Sequence, residues 1–75
     1  MNWHFILSLV EAEYAALNPA YLHYEHQISL KPEERVVEED TSEIEDRLAF
    51  LSKQLQYCRE AIDDIKLQMK TTNHG

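Results

Sequence analysis

Histidine side chains are the first groups in this chain that could bind a metal ion. His23 and His26 lie three residues apart, a spacing that places two imidazoles on one face of a helix and occurs in zinc sites. Two ligands do not complete a site, and no third or fourth ligand stands at a defined spacing from this pair. The sequence therefore predicts exposed helical histidines, with no metal and no cofactor.

Acid–base or nucleophilic catalysis would depend on paired carboxylates or on an activated thiol. Glu38-Glu39 and Asp63-Asp64 are adjacent carboxylates, and Cys58 is the only cysteine. Catalytic carboxylates need a pocket that separates their pKa values, and 75 residues offer little material for its walls. The only glycine is Gly75, so a glycine-rich phosphate-binding loop is excluded. We therefore expect no enzymatic activity.

The carboxylates are also unevenly distributed along an acidic chain. The formal net charge is −7, from 14 acidic and 7 basic residues, which disfavours direct binding to nucleic acid or to an anionic membrane. Eight of the carboxylates fall between Glu33 and Asp46, with one arginine among them. Such a row can imitate DNA phosphates, so one hypothesis is an acidic mimic that blocks a DNA- or RNA-binding protein. The alternative is a solvated acidic connector.

The C-terminal half has the apolar periodicity of a long helix. Eight residues follow one another at alternating spacings of four and three, which is a heptad seam: Ile44, Leu48, Leu51, Leu55, Cys58, Ile62, Ile65 and Met69. Ser42 and Glu45 have the spacing of a capping box. The pattern predicts a second helix over about 42–70 and a frayed tail at 71–75.

The N-terminal half carries a second seam of the same spacing, interrupted by Pro19. Its members are Trp3, Leu7, Val10, Tyr14, Leu17, Tyr21, Tyr24 and Ile28. Proline removes an amide donor, so the region is either one kinked helix or two short helices, about 2–17 and 19–29. Residues of about 30–41 then form an acidic connector, which either crosses the end of a bundle or is mobile.

These elements predict an all-α fold with one domain over residues 1–75, a long helical hairpin. A chain of this size buries only about 60% of its unfolded surface, and a single cysteine forms no intrachain disulfide. Phe5, Ile6 and Leu9 add apolar side chains outside the first seam, so one neighbouring helix cannot cover the N-terminal segment. We therefore expect the hairpin to dimerise into a four-helix, partly coiled-coil bundle.

The predicted interface takes its apolar residues from both helices. They are Trp3, Phe5, Ile6, Leu7, Leu9, Val10, Tyr14, Leu17, Leu48, Leu51, Leu55, Cys58, Ile62 and Ile65. If two copies of helix 2 meet along their seams, an antiparallel arrangement gives the better match of flanking charges. Phe50 and Tyr57 lie off that seam, and we expect them to dock on helix 1 or on the second chain.

The N-terminal apolar run is too short for a membrane-spanning helix. No Lys or Arg precedes it, and Glu11 and Glu13 follow it closely, which predicts a soluble cytoplasmic protein. Together these features predict a non-enzymatic, homo-oligomeric helical interaction module. It would act as an adaptor, small chaperone or inhibitor through contact with a protein partner.

Overall fold

The fold is a hairpin of two long α-helices. The computed structural model describes residues 2–72 of the chain. Helix α1 spans Trp3–Ser29, a 3₁₀ turn spans Pro32–Glu34, and helix α2 spans Thr41–Thr72. The two α-helices pack against each other along their length. The predicted all-α helical hairpin is confirmed. Thr71 and Thr72, predicted to fray, continue α2, and the rest of the predicted tail, 73–75, lies outside the described residues.

The hairpin is a rod that is one helix pair thick. Its principal extents are 59 × 15 × 15 Å, and its Cα radius of gyration is 16.7 Å. A compact domain of this length would have a radius of gyration of about 11 Å. No helix in the described range combines the length and the apolar character that crossing a bilayer requires. The shape leaves most of the surface of each helix open to solvent.

The buried apolar side chains all come from α2. Within the described residues they are Ile44, Leu51, Leu55, Cys58 and Ile65. All five belong to the predicted seam of helix 2, and they are buried because α1 packs along that side of α2. Within the hairpin, α1 of the same chain therefore covers this seam, and the antiparallel pairing of two copies of helix 2 along it stays a prediction.

Both helices begin at a side-chain cap. Asn2 Oδ1 accepts a hydrogen bond of 3.1 Å from the amide of Phe5 at the start of α1. At the start of α2, Asp40 Oδ1 accepts a bond of 2.9 Å from the amide of Glu43. The predicted capping box at Ser42 is wrong, because Asp40 lies two residues earlier and its carboxylate satisfies the orphan amide first. Thr41 and Ser42 are residues of the first turn.

Helix α1 runs without interruption through Pro19. The division into two helices, 2–17 and 19–29, is therefore wrong. Pro19 cannot donate to the carbonyl of Ala15, but both residues lie on the exposed side of α1, where water can satisfy that carbonyl. Packing of the opposite side of α1 on α2 holds the turns before and after Pro19 in one helix.

Replacement of Pro19 by alanine is expected to stabilise the hairpin. The substitution restores one intrahelical amide donor and removes the steric conflict of the ring, with an expected gain of about 1–3 kcal/mol in the free energy of unfolding. Urea denaturation followed by circular dichroism measures it. Unchanged or lower stability in Pro19→Ala would contradict the solvent-facing role given to Pro19.

Candidate protein-interaction surface

An apolar groove runs between α1 and α2 in the middle of the hairpin. Leu9 and Val10 line it from α1, and Tyr57, Cys58 and Ala61 line it from α2. Its volume is about 310 Å³, and it is open to solvent along one side. Glu13 and Gln54 are the polar residues of its lining. The groove is thus a shallow apolar surface with polar positions at its edge.

Large apolar side chains stand exposed on both sides of this groove. Leu9 is 56% exposed on α1 and Tyr57 is 51% exposed on α2. Phe5 and Phe50 extend the exposed apolar area along the two helices. The mutual packing of α1 and α2 therefore leaves these side chains uncovered.

The structure separates the predicted interface residues into three groups. Leu51, Leu55, Cys58 and Ile65 are buried inside the hairpin. The half-buried group lies at the margins of the contact between the helices: Trp3, Ile6, Leu7, Val10, Tyr14, Leu17, Leu48 and Ile62. Phe5 and Leu9 are exposed. The groove brings Leu9, Val10 and Cys58 together, and it does not include the others.

Tyr57, Gln54 and Ala61 belong to the groove but were absent from the predicted interface. Tyr57 was expected to dock on helix 1 or on a second chain. It borders α1 across an open groove, with the ammonium of Lys53 6.0 Å from its ring centroid. Phe50 is exposed as well, so it does not dock on helix 1. The alternative, that both side chains dock on a second chain, stays a prediction. The spacing of seven between these aromatics was the signal for a second row of side chains on α2.

A buried glutamine fixes the connector at the tip of the hairpin. Gln27 is 4% exposed and is the buried polar residue of the described chain. Its side-chain oxygen accepts a bond of 2.9 Å from the amide of Val36, and its main-chain carbonyl accepts one of 3.0 Å from Arg35 Nε. Arg35 also donates to Thr41 Oγ1 at 2.8 Å. The connector thus has a defined path across the end of the two helices.

A second hydrogen bond ties the acidic connector to α1. The hydroxyl of Tyr24 donates to Glu39 Oε1 over 3.0 Å. This bond to Glu39 is the main cause that raises the pKa of Tyr24 above its ordinary value of 10.0. Partial burial and the charge of Glu39 act in the same direction, and the charge of Arg47 opposes them. The carboxylates of Glu39 and Asp40 therefore stabilise the hairpin.

The titratable side chains of the described residues do not form a metal cluster. No group of three or more His, Cys, Asp or Glu side chains within residues 2–72 lies close enough to hold a metal ion. His23 instead stacks edge-on against Tyr24, with ring centroids 5.5 Å apart. Cys58 is a free thiol buried between the helices.

Comparisons of this chain with models of known protein families, with curated proteins and with solved structures found no match.

Replacement of Gln27 by alanine is expected to loosen the tip of the hairpin. The change removes the acceptor of the Val36 amide and opens a small cavity, so the free energy of unfolding should fall by about 1–3 kcal/mol. Hydrogen exchange at the Val36 amide should accelerate. Gln56→Ala is the matched control, because Gln56 is exposed and bonds only within its own helix to Glu60, at 3.2 Å. Equal stability of the two variants would contradict the proposed clamp.

The hydrogen bond of the Tyr24 hydroxyl should make the stability of the hairpin depend on pH at alkaline pH. A pKa raised in the folded state means that the bond to Glu39 stabilises the hairpin fully below pH 10.0. That contribution is lost as the pH rises through the raised pKa of Tyr24. Titration of tyrosinate absorbance should show a late ionisation step, and Tyr24→Phe should remove it. Loss of the late step in Tyr14→Phe instead would refute the assignment.

Proposed function

We propose that this protein is a non-enzymatic, homo-oligomeric helical interaction module that acts by binding other proteins. Its mechanism is steric: the hairpin presents apolar helical surface that covers a helix of the partner, as an adaptor, a small chaperone or an inhibitor does. No bond is made or broken in this activity. The cytoplasm is the proposed location, and a second copy of the chain is the first proposed partner.

The observation that carries this proposal is the unequal burial of the two helices. Across Trp3–Ser29, all of which the structure describes, the one buried residue is Gln27. Helix α1 nevertheless contains the most apolar segment of the chain, from Trp3 to Val10. Apolar surface of this extent on so thin a rod is typical of proteins that complete their core with another chain.

The groove supports a helix as the bound element. Its lining combines apolar side chains of both helices with Glu13 and Gln54 as polar positions. A third helix placed along it would convert the two-helix rod into a three-helix arrangement and would cover Leu9 and Tyr57. Burial of one large apolar side chain contributes about 1.5–3 kcal/mol, so a stable contact needs several such side chains to offset the cost of association.

The connector favours this proposal over an acidic nucleic-acid mimic. A mimic needs an array of carboxylates that is free to face a basic protein. Two carboxylates of the acidic stretch have structural hydrogen bonds: Glu39 accepts from Tyr24, and Asp40 caps α2. The other six carboxylates of the stretch are exposed, as is usual for a solubilising loop: Glu33, Glu34, Glu38, Glu43, Glu45 and Asp46.

Self-association is the first test of the proposal. We expect the full chain to sediment as a dimer or higher oligomer at micromolar concentration, because exposed apolar side chains on both helices gain free energy from mutual burial. Sedimentation equilibrium over a range of concentrations measures it. A folded species that remains at 8.9 kDa at all concentrations would exclude the homo-oligomer.

Binding of a partner protein is the second test, and α1 offers a matched pair of variants. Leu9 and Leu22 are similarly exposed, at 56% and 53%, but only Leu9 lines the groove. Leu9→Asp should abolish recovery of copurifying proteins from the native cell, and Leu22→Asp should leave it unchanged. Both variants should keep the helical circular dichroism of the parent, since neither side chain is buried. Equal recovery by the two variants would show that the groove does not bind the partner.

A further inference from the structure

We infer that the outer face of α2 binds a second copy of this chain, with the two α2 helices antiparallel; the inference rests on the proposed homo-oligomer and names its contact. The surface, here called the outer row, consists of Phe50, Lys53, Tyr57, Glu60, Asp64 and Leu67. These residues follow at alternating spacings of three and four, so they lie on one side of the helix. All six are exposed, and the row lies on the side of α2 away from the seam that packs on α1; Tyr57, at the edge of the row, also lines the groove between the helices.

The apolar residues of the outer row are the same residues as the exposed large apolar side chains of α2. Phe50, Tyr57 and Leu67 are each more than half exposed, and no other large apolar residue in the described part of α2 is. Lys53 lies over the ring of Tyr57, 6.0 Å from its centroid, so its ammonium is also part of this surface. The row thus combines three apolar anchors with charged side chains, and complementary charges can fix the register of a contact.

Charge and size select one register for two antiparallel copies. With the two-fold axis between Tyr57 and Glu60, Phe50 faces the partner's Leu67, and Lys53 faces the partner's Asp64. Tyr57 faces the partner's Glu60 beside the axis. The symmetry repeats all three pairs, so the contact contains two apolar pairs, two opposite-charge pairs and two pairs of Tyr57 with Glu60. Over the 18 positions from Phe50 to Leu67, the contact is about 26 Å long.

The other registers of the same row bring like charges together. A shift of one heptad in one direction sets Asp64 opposite the partner's Asp46. A shift in the other direction sets Asp64 opposite the partner's Glu60. A parallel arrangement sets Lys53 opposite the partner's Lys53 and Asp64 opposite the partner's Asp64. Like charges that face each other destabilise a helix pair, so the antiparallel register with matched pairs is favoured.

Two surface depressions on α2 fit this register. One of about 610 Å³ lies between Tyr57 and Leu67 and is also lined by Glu60 and Asp64. The other, of about 390 Å³, is lined by Glu43, Asp46, Arg47 and Phe50. The two-fold axis sets the first depression opposite the partner's Phe50 and Tyr57. In the second depression, Phe50 faces the partner's Leu67.

Charge reversal at Lys53 and Asp64 tests the register. Lys53→Asp places an aspartate opposite the partner's Asp64, and Asp64→Lys places a lysine opposite the partner's Lys53. Each variant alone creates two like-charge pairs in the dimer, so its dissociation constant should rise about tenfold or more at low salt. The two positions are 11 residues apart on one helix, about 16 Å, so they do not contact each other within a chain.

An equimolar mixture of the two variants gives the decisive measurement. Lys53→Asp in one chain and Asp64→Lys in the other restore both opposite-charge pairs in a heterodimer. Sedimentation equilibrium should therefore show dimer in the mixture at a concentration where each variant alone is monomeric. Arg59→Asp and Asp63→Lys are the matched controls, since they make the same kinds of charge change at exposed positions beside the row. Neither control should alter dimerisation by itself, and their mixture should show no gain.

The outcomes separate this inference from the proposed function. A dimeric parent with a selective heterodimer supports the inference. A dimeric parent whose Lys53 and Asp64 variants dimerise as the parent does would overturn the outer row while leaving the homo-oligomer intact. A parent that stays monomeric at every concentration would overturn both. Circular dichroism of each variant verifies that the hairpin has folded, so a loss of dimer is not confused with a loss of helix.

Discussion

Two helices packed side by side can cover only one side of each other, and this constraint determines the rest of the molecule. The contact between α1 and α2 buries the seam of α2, from Ile44 to Ile65. It leaves the opposite sides of both helices open, and within residues 2–72 of the 59 Å rod no third α-helix covers them. A larger domain would close this surface with its own chain. Apolar side chains that stay exposed on a thin helix pair are typical of a surface that packs against another chain.

Polar interactions at the tip of the hairpin fix the register of α1 against α2, which apolar packing alone does not determine. A helix pair joined by a flexible linker could slide by one turn, since an apolar row resembles itself after each heptad. Gln27 limits such a shift because it bonds to both Val36 and Arg35, and Arg35 reaches the first turn of α2 at Thr41. The register of α1 against α2 determines whether Leu9 and Tyr57 reach the same groove. The buried glutamine therefore acts on the distant groove by holding the two helices in one alignment.

The sequence predicted the features that depend only on the spacing of apolar residues. The seam of α2 could be predicted because its residues repeat without a gap, and five of its eight members are buried. The continuity of α1 at Pro19 could not be predicted in this way. The apolar period does not reveal that the missing hydrogen bond at Pro19 lies on the solvent side of the helix. Asp40 as the cap of α2 and Gln27 as a buried acceptor depend on the path of the connector, which no periodic pattern specifies. The outer row was detectable in the sequence, but mixed charge and apolar character made it resemble a solvated face.

The two open surfaces differ in polarity, and this difference bears on how selective each contact can be. The groove between the helices is apolar except for Glu13 and Gln54, so many amphipathic helices could fill it with similar free energy. The outer row alternates apolar anchors with Lys53, Glu60 and Asp64, and a wrong register there sets like charges opposite each other. A contact between identical copies must select one register, because every molecule in solution carries the same row. A contact with partner helices, in contrast, benefits from accepting different helix sequences. On the proposed function, charge therefore sets the pairing of the two copies, while apolar area alone sets the affinity for the partner.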